Sequence, residues 1–563
     1  MSPNAATAPH GLEHIKRVVV LMFENRSFDH IFGALPGVNG LLRDGQINQN
    51  YYNLPNPHQP ASPTNLPVYP APVDPSLPMQ RDFTHDFGDG MMPDLFGPTF
   101  KVQPEGAPPS DWSATYWSGF VNGAPKHQVA PTQTHPSTNS GFFTTYQGCE
   151  PQGQAALSYF EDGVLRVLHT LARTFVVCDN WYCDMPGHTE PNRCFIHCAQ
   201  TGNVGIDDTD SGQNTAPTIF DLIDQLPEGV QPRGWKMYAP VGNNGLPYHL
   251  DTAFLNSKAQ SHGGSPITEF AADCCAGTLP FYSFIMCWLP NATAWTDTSM
   301  HPNSLVQPGE NLLAAVYNTL RQSRCWDDTL LVVTFDENGG IYDHMFPPPT
   351  NPPDPARPVV TQTVPGSANV CGNRWTLQSD FDFSLLGLRI PALLISPWLA
   401  AGVDSHQYQN TSVVRFLVDR LNAMSGHSRA PVTPLTDRDA NAPPLDSAFE
   451  QFGRHSMRQD CPVRITPYPT LPSTDPSTGS NAIPYSDGTL MGWTAPASTP
   501  AAPPVTYIRE LLNMYVAPLP GSPESGRKIT RTFATNAEVA SYTEQRLQAA
   551  QRFHAAHSQH TGT

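Results

Sequence analysis

The stretch VVVLMFENRSFDH (residues 18–30) contains an apolar run that stops at three polar residues, Glu24, Asn25 and Arg26. The run itself, residues 17–23, includes three consecutive valines, which is typical of a strand buried on both faces of a parallel sheet. Such a strand has no structural need of a carboxylate. Because ligands bind outside the carboxyl ends of the strands in open α/β sheets, we interpret this polar cluster as part of a functional site.

Two later apolar runs also end in acidic residues. TFVVCDN (residues 174–180) reaches Asp179, and TLLVVTFDENGG (residues 329–340) reaches Asp336 and Glu337. Helical patterns precede both runs, and this alternation of helix and strand is typical of a parallel sheet. A fourth run, RIPALLISPWLAAG, has a proline near each end and is compatible with another buried strand. The sequence therefore predicts an α/β fold with a mostly parallel sheet flanked by helices.

A threonine follows the second run. In CDMPGHTEPNR (residues 183–193), Pro186 and Gly187 force a turn before Thr189, and we predict that a helix begins at Asn192. Thr189 then lies just before a helix N-terminus, where backbone amides and the helix dipole favour an anion.

The strand-end carboxylates suggest a metal site. If the strands are parallel neighbours, these carboxylates converge, and such a cluster is unfavourable without a cation. A bound divalent metal, for which zinc, calcium and manganese are candidates, lowers the pKa of a coordinated hydroxyl. We therefore predict that Thr189 is a nucleophile beside a divalent metal ion.

Four histidines lie in loops near turn residues: His85 in THDFGDGMMPD, His249 in LPYHLDTAF, His301 in DTSMHPN and His344 in GGIYDHMFPPP. We interpret them as candidates for supplying protons or for steadying a transferred phosphoryl group. Each one alone is equally compatible with a surface histidine or with a histidine whose hydrogen bonds are satisfied in the core.

The composition excludes some classes of partner. The 31 Lys and Arg against 49 Asp and Glu give a net charge of -18, which argues against a nucleic-acid partner. The 60 prolines and 41 glycines predict long loops around the sheet. No apolar stretch is long enough for a transmembrane helix, and residues 1–14 contain no signal peptide, so we expect at most peripheral membrane contact and either a cytoplasmic location or export without an N-terminal signal.

Four of the 11 cysteines, Cys178, Cys183, Cys194 and Cys198, are close together in the sequence. A zinc site and a disulfide pair are both conceivable, but the spacings match no standard pair of zinc-binding cysteines. Buried thiols or disulfides therefore remain the favoured interpretation.

Five segments in one order carry a resemblance to a known family. They are FENRSFDHIFG, PGHTEPNR, MHPN, TLLVVTFDENGGIYDHMFPPP and RIPALLISPW. Over residues 15–424 the sequence resembles the bacterial and fungal phosphoesterases that unite phospholipases C of the phosphatidylcholine type with acid phosphatases. This resemblance implies the fold of the alkaline phosphatase superfamily.

The resemblance also implies roles for individual residues. It makes Glu24 and Asn25 metal or phosphate contacts, Thr189 the residue that becomes phosphorylated, and Asp336 and Glu337 metal ligands. His85 and His301 match family histidines, and His249 matches more weakly because the family's paired form is absent. The expected supporting residues around the substrate are Asn192, Arg193, Asn338 and His344. The family's Asp-His before Thr-Ser is replaced here by Gln409 and Asn410.

The leading interpretation is a metal-dependent phospholipase C that cleaves phosphatidylcholine-like diesters through a phosphothreonine intermediate. One alternative is a phosphomonoesterase of the acid phosphatase type, and another is a catalytically inactive secreted effector or binding protein. Aromatic residues in the loops, such as Trp112 and Trp235, are candidates for a choline-binding box or for core packing. We expect a catalytic domain over residues 15–430 and a Pro-rich segment with C-terminal helices over residues 431–563.

Overall fold

A central sheet of eight strands organises the part of the chain that the computed structural model describes. These strands are β1 (Arg17–Phe23), β2 (Val176–Cys178), β3 (Trp235–Ala239), β4 (Ser265–Pro266), β5 (Tyr282–Met286), β6 (Thr329–Phe335), β7 (Leu393–Ile395) and β8 (Gly402–Asp404). The described residues are 9–55, 62–63, 66–79, 83, 85–96, 100–102, 115–117, 120–121, 124–125, 139–146, 152–202, 216–226, 229–239, 265–287, 297–354, 360–364, 377–425 and 431–468.

The strand order is β4-β3-β5-β1-β6-β7-β2-β8, and every neighbouring pair is parallel except those that involve β7. Strand β7 is reversed because only residues 396–401 separate it from β8, and parallel strands need a much longer crossover connection. The predicted mostly parallel sheet flanked by helices is confirmed.

Helices and short strand pairs surround this sheet. The helices are α1 (Phe28–Phe32), α2 (Met92–Phe96), α3 (Phe142–Tyr146), α4 (Gln152–Ala155), α5 (Arg166–Thr174), α6 (Thr189–Cys198), α7 (Ile219–Asp224), α8 (Ile267–Ala276), α9 (Val306–Arg321), α10 (Thr411–Ser425), α11 (Asp437–Asn441) and α12 (Asp446–Phe452), with single turns at Leu12–His14, Phe87–Met91 and Trp326–Asp328. The short pairs join Leu42–Arg43 to Gln46–Ile47, Ala71–Pro72 to Ser158–Tyr159, Phe100–Val102 to Thr115–Trp117, Phe120–Val121 to Ala124–Pro125, Trp181–Tyr182 to Tyr408–Gln409, and Val360–Val364 to Leu377–Phe381. No helix in this part of the chain is long and apolar enough to cross a membrane.

Strands β1 and β6 form the centre of the core. Each is buried along its length apart from Arg17, as expected for strands covered on both faces. Their register pairs Arg17 with Thr329 and Phe23 with Phe335, so the two strands end side by side. The residues that follow them are therefore neighbours at the carboxyl edge of the sheet.

Residues 431–468 continue to pack on this fold. Phe449, Cys461 and Ile465 belong to the main apolar core. The Asn318 side-chain amide donates to the Ile465 carbonyl at 2.9 Å, which fixes the segment against α9. The helices predicted within residues 431–563 from the patterns after residue 500 lie outside the described residues.

The clustered cysteines Cys178, Cys183, Cys194 and Cys198 are buried thiols in the structure. Burial raises the pKa of the Cys178 and Cys183 thiols well above the usual value, so these two thiols stay protonated. Of the alternatives raised by the sequence, buried thiols are the one that the structure contains.

His169 provides a test of how pH affects stability. It is buried in α5, where its Nε2 donates to the Ile31 carbonyl at 2.8 Å and its Nδ1 accepts from the Gly163 N–H at 2.9 Å. Burial lowers its pKa to about 4. The unfolded chain takes up this proton near pH 6.5 and the folded chain does not, so stability is lost as the pH falls from about 6.5 to about 4.

We expect His169→Gln to remove the uptake of one proton on unfolding. Between about pH 6.5 and pH 4 the free energy of unfolding should then fall less steeply with falling pH, by about 1.4 kcal/mol per pH unit. Urea denaturation of both proteins at pH 7 and pH 5 measures the difference. An unaltered slope in His169→Gln would mean that His169 takes up its proton equally in both states.

Candidate active site

The polar residues after β1 and β6 meet at the carboxyl edge of the sheet. The Asn25 N–H donates to Asp336 Oδ1 at 2.9 Å, and the Arg26 N–H donates to the Glu337 carbonyl at 3.1 Å. Glu24, Asn25, Asp336 and Glu337 are all buried. The predicted convergence is therefore present for two of the three strand ends, whereas Asp179, which follows β2, accepts from the Asn39 N–H at 2.7 Å.

The side chain of Asn25 connects three of the predicted site residues. Its Oδ1 accepts from Thr189 Oγ1 at 3.2 Å, while its Nδ2 lies 3.2 Å from His85 Nε2 and 3.0 Å from His301 Nε2. Its backbone has a φ of 58°, a left-handed conformation that asparagine tolerates better than most residues. A strained conformation of this kind is common where function fixes a side chain.

The contacts of Nδ1 in His85 and in His301 indicate the tautomer of each ring. His85 Nδ1 lies 2.6 Å from the Phe83 carbonyl, and His301 Nδ1 lies 2.9 Å from Asn303 Oδ1. A proton on each Nδ1 makes both hydrogen bonds, which leaves each Nε2 to accept one hydrogen of the Asn25 amide. The Asn25 oxygen is thereby turned toward Thr189.

Both imidazoles are neutral near pH 7 in this arrangement. Burial lowers the pKa of His85 well below its usual value, and the neighbouring His188 acts in the same direction. Burial also lowers the pKa of His301 to about 3. In this arrangement the rings orient an amide, and the proton-donor role inferred for them from the sequence remains a prediction.

Thr189 is the first residue of α6, so this helix begins three residues earlier than the predicted start at Asn192. Pro191 lies in the first turn of this helix, which tolerates proline because its N–H groups have no partner within the helix. Asn192 fixes the preceding turn, since its Nδ2 donates to the Gly187 carbonyl at 3.1 Å and to the His188 carbonyl at 3.0 Å. The ring of His188 packs 4.8 Å from that of His85 and faces the same site.

Arg193 neutralises part of the acidic cluster. Its Nε donates to Asp336 Oδ2 at 3.1 Å, and its Nη2 donates to Glu24 Oε1 at 3.3 Å. Glu337 Oε1 lies 3.5 Å from His85 Nε2. Burial raises the pKa of Asp336 although Arg193 opposes that shift.

The net charge of the buried side chains at this edge of the sheet indicates whether a divalent metal suits the site. Three buried carboxylates, those of Glu24, Asp336 and Glu337, face one guanidinium and imidazoles that burial keeps neutral. This excess of buried negative charge, together with the oxygen atoms of Asn25 and Thr189, matches the preference of hard divalent cations for oxygen ligands. The donor atoms present are therefore of the type that a divalent metal takes, although the oxygens of these three carboxylates do not all lie within 4.8 Å of one another.

The turn after β6 requires glycine at position 339. Gly339 has a φ of 64°, and a Cβ atom built on it would lie 2.3 Å from the Asn25 carbonyl oxygen. Its N–H donates to Glu337 Oε2 at 2.6 Å, and Asn338 Nδ2 donates to the Ile341 carbonyl at 3.3 Å. The loops that follow β1 and β6 can therefore pack this closely only because Gly339 has no side chain.

Four other residues that the sequence suggested for the site are not among the contacts described above. His344 belongs to a separate cluster, where its Nδ1 is 2.7 Å from Asp29 Oδ2 and its ring stacks on Tyr51 at 4.2 Å. Trp235 is a core residue of β3, packed 4.4 Å from the ring of Phe220. His249 and Trp112 lie outside the described residues.

Two supporting residues could not be assigned from sequence. Arg26 holds the loop of His301, since its Nε donates to the Met300 carbonyl at 2.6 Å and its Nη2 to the His301 carbonyl at 3.0 Å. Asn410, at the position where the sequence departs from the family pattern, donates to the Asp336 carbonyl at 3.3 Å. Arg26 stands next to Asn25 in the polar cluster after β1, but the partners of both residues are distant in the chain.

The sequence pattern of the Phosphoesterase family matches residues 15–424. The chain belongs to this family. Over 474 residues it is 27% identical to non-specific phospholipase C3 of Arabidopsis thaliana, covering 82% of this chain and 78% of that protein. Over 520 residues it is 28% identical to phospholipase C B of Mycobacterium tuberculosis, covering 85% and 88%.

A solved structure of a protein in the alkaline phosphatase superfamily from Vibrio parahaemolyticus is 17% identical and has a TM-score of 0.25, covering 49% of this chain and 63% of that one. The family match and the phospholipase C relatives make this phosphoesterase a hydrolase of phosphoric ester bonds.

Proposed function

We propose that this phosphoesterase is a phospholipase C that hydrolyses phosphatidylcholine-like diesters through a phosphothreonine intermediate. The observation that carries the proposal is the position of the Thr189 hydroxyl. It lies at the start of α6 and donates to Asn25 Oδ1, and the backbone N–H of Asn25 in turn donates to the buried carboxylate of Asp336. The names of the phospholipase C relatives support the choice of a diester substrate.

The residues that would hold a divalent metal are Glu24, Asn25, Thr189, Asp336 and Glu337. When bound, such an ion would offset their negative charge and favour the alkoxide form of the Thr189 hydroxyl. Because Arg193 already contacts Glu24 and Asp336, it is placed to contact a substrate phosphate at the same edge of the sheet.

The proposed reaction has two displacements. Thr189 Oγ loses its proton and forms a bond to phosphorus, while the bond from phosphorus to the diacylglycerol oxygen breaks and that oxygen takes up a proton. Water then attacks the phosphorus of the phosphocholine group on Thr189 and gives one proton to the threonine oxygen, which releases phosphocholine and restores the hydroxyl. The start of α6 directs backbone N–H groups toward the anionic phosphoryl group in both steps.

A substrate panel tests this function. We expect a chromogenic phosphorylcholine ester and phosphatidylcholine vesicles to be hydrolysed with kcat/KM at least about tenfold above that for a chromogenic phosphomonoester, a difference of about 1.4 kcal/mol in transition-state binding. A preference for the monoester would instead identify an acid phosphatase. Inactivity on all three substrates, with metal supplied, would contradict the proposal.

A further inference from the structure

A second acidic cluster lies near the active site. The described residues contain one set of three acidic or imidazole side chains whose ligand atoms all lie within 4.8 Å of one another, and it consists of Asp29, Asp343 and His344. Two carboxylates and an imidazole at this spacing are a ligand set that suits a divalent cation. What occupies the space between them decides whether a metal belongs there.

The guanidinium of Arg389 occupies that space. Its Nε and Nη2 donate to the two oxygens of Asp343 at 2.9 and 3.1 Å, and Nη2 also lies 2.9 Å from Asp29 Oδ1. Its Nη1 donates to the carbonyls of Asn39 and Asp179, both at 2.7 Å. Every nitrogen of the side chain has a partner, so the cation of this cluster is Arg389 itself.

This ion-pair cluster joins the loops that carry the active-site oxygens. Asp29 lies in α1, four residues after Asn25, and Asp343 lies six residues after Glu337. The backbone reinforces the link, because the Phe28 N–H donates to the Arg389 carbonyl at 3.0 Å and the Asp29 N–H to Asp343 Oδ2 at 3.2 Å.

We propose that Arg389 is a positioning residue, which sets the spacing between the loop after β1 and the loop after β6. The proposal rests on the proposed function, since those loops carry the predicted metal ligands. Arg389 is fully buried and touches neither Thr189 nor its bonded partner Asn25 in any described contact. Its effect on turnover therefore acts through the position of the two loops whose Asp29 and Asp343 side chains it holds.

The chain offers a matched control at the opposite ends of the same two strands. Arg17 at the start of β1 forms an ion pair with Asp328, which directly precedes β6. Both arginines thus tie the β1 segment to the β6 segment. Only Arg389 does so at the carboxyl edge, where the site lies.

The test compares Arg389→Lys with Arg17→Lys in the full chain. Lysine keeps the charge but cannot reproduce the fork that contacts both carboxylates. We expect Arg389→Lys to lower both kcat on a soluble phosphorylcholine ester and the affinity for Mn²⁺ about 10- to 100-fold, with a smaller change in KM. Arg17→Lys should lower the melting temperature and leave kcat and Mn²⁺ affinity within about twofold.

Asp343→Asn gives the same readouts if Arg389→Lys fails to fold, because Arg389 then keeps its partner Asp29. The inference is overturned if the folded Arg389 or Asp343 variant loses only thermal stability, or if Arg17→Lys lowers Mn²⁺ affinity equally. Titration with Mn²⁺ alone requires no turnover. If the wild-type enzyme binds Mn²⁺ but does not hydrolyse phosphorylcholine esters, the proposed function is refuted. The Mn²⁺ affinities of the variants would still test the role of Arg389.

Discussion

Thr189→Ala is expected to lower kcat by about 10³-fold or more, because covalent catalysis then lacks its nucleophile. In the described contacts the hydroxyl contributes one hydrogen bond, to Asn25, so the fold should be retained, and at saturating metal the four other proposed ligands should keep the ion bound. Steady-state kinetics on a phosphorylcholine ester and elemental analysis measure both quantities. Thr189→Ser keeps the nucleophilic oxygen and should retain much more activity.

Two further measurements sharpen this expectation. Acid quenching of the wild-type enzyme with labelled substrate should trap phosphate on the peptide that contains Thr189, as read by mass spectrometry. Thr329→Ala is the matched control, since Thr329 is equally buried at the far end of β6 and bonds to the Cys325 carbonyl. Normal turnover in Thr189→Ala would refute the assignment, and an absence of trapped label would point to direct attack by water.

Removal of divalent metal is expected to abolish turnover, and one ion from a panel of zinc, calcium and manganese should restore it. The physical reason is the excess negative charge of Glu24, Asp336 and Glu337 over Arg193. Activity is measured after dialysis against chelator, with residual metal quantified by elemental analysis. Full activity in metal-free enzyme would refute the metal assignment.

A variant pair locates the metal within the chain. Glu337→Gln should weaken metal affinity about 10- to 100-fold or more, since even outer partners of metal ligands have effects of that size. Glu310 is an equally buried carboxylate, but it accepts from the Val167 and Leu168 N–H groups at the start of α5, both at 2.8 Å. Glu310→Gln should therefore leave metal affinity unchanged, and equal losses in the two variants would argue against a role specific to Glu337.

The strand ends were predictable because their signal is local. The apolar runs that became β1 and β6 each carry their own burial pattern, and parallel pairing then places Glu24 beside Asp336. The start of α6 was placed three residues too late because the turn at Pro186 and Gly187 does not by itself fix which of the following residues is the first in the helix.

The details of the site depend on contacts between distant parts of the chain. Asn25 is oriented by His85 and His301, which are 60 and 276 residues away. Asp29 is paired with Arg389, 360 residues away, so sequence alone could not show that the cluster around His344 holds a guanidinium. Periodicity and capping signals report on neighbours within a few residues and contain no information on such pairings.

Gly339 limits how this enzyme can be redesigned. Any side chain at that position meets the Asn25 carbonyl, whatever its chemistry, so most members of a mutant library that randomises position 339 should have a displaced active-site loop. The same restriction applies in natural drift, where changes at this position can survive only together with a shift of the facing backbone.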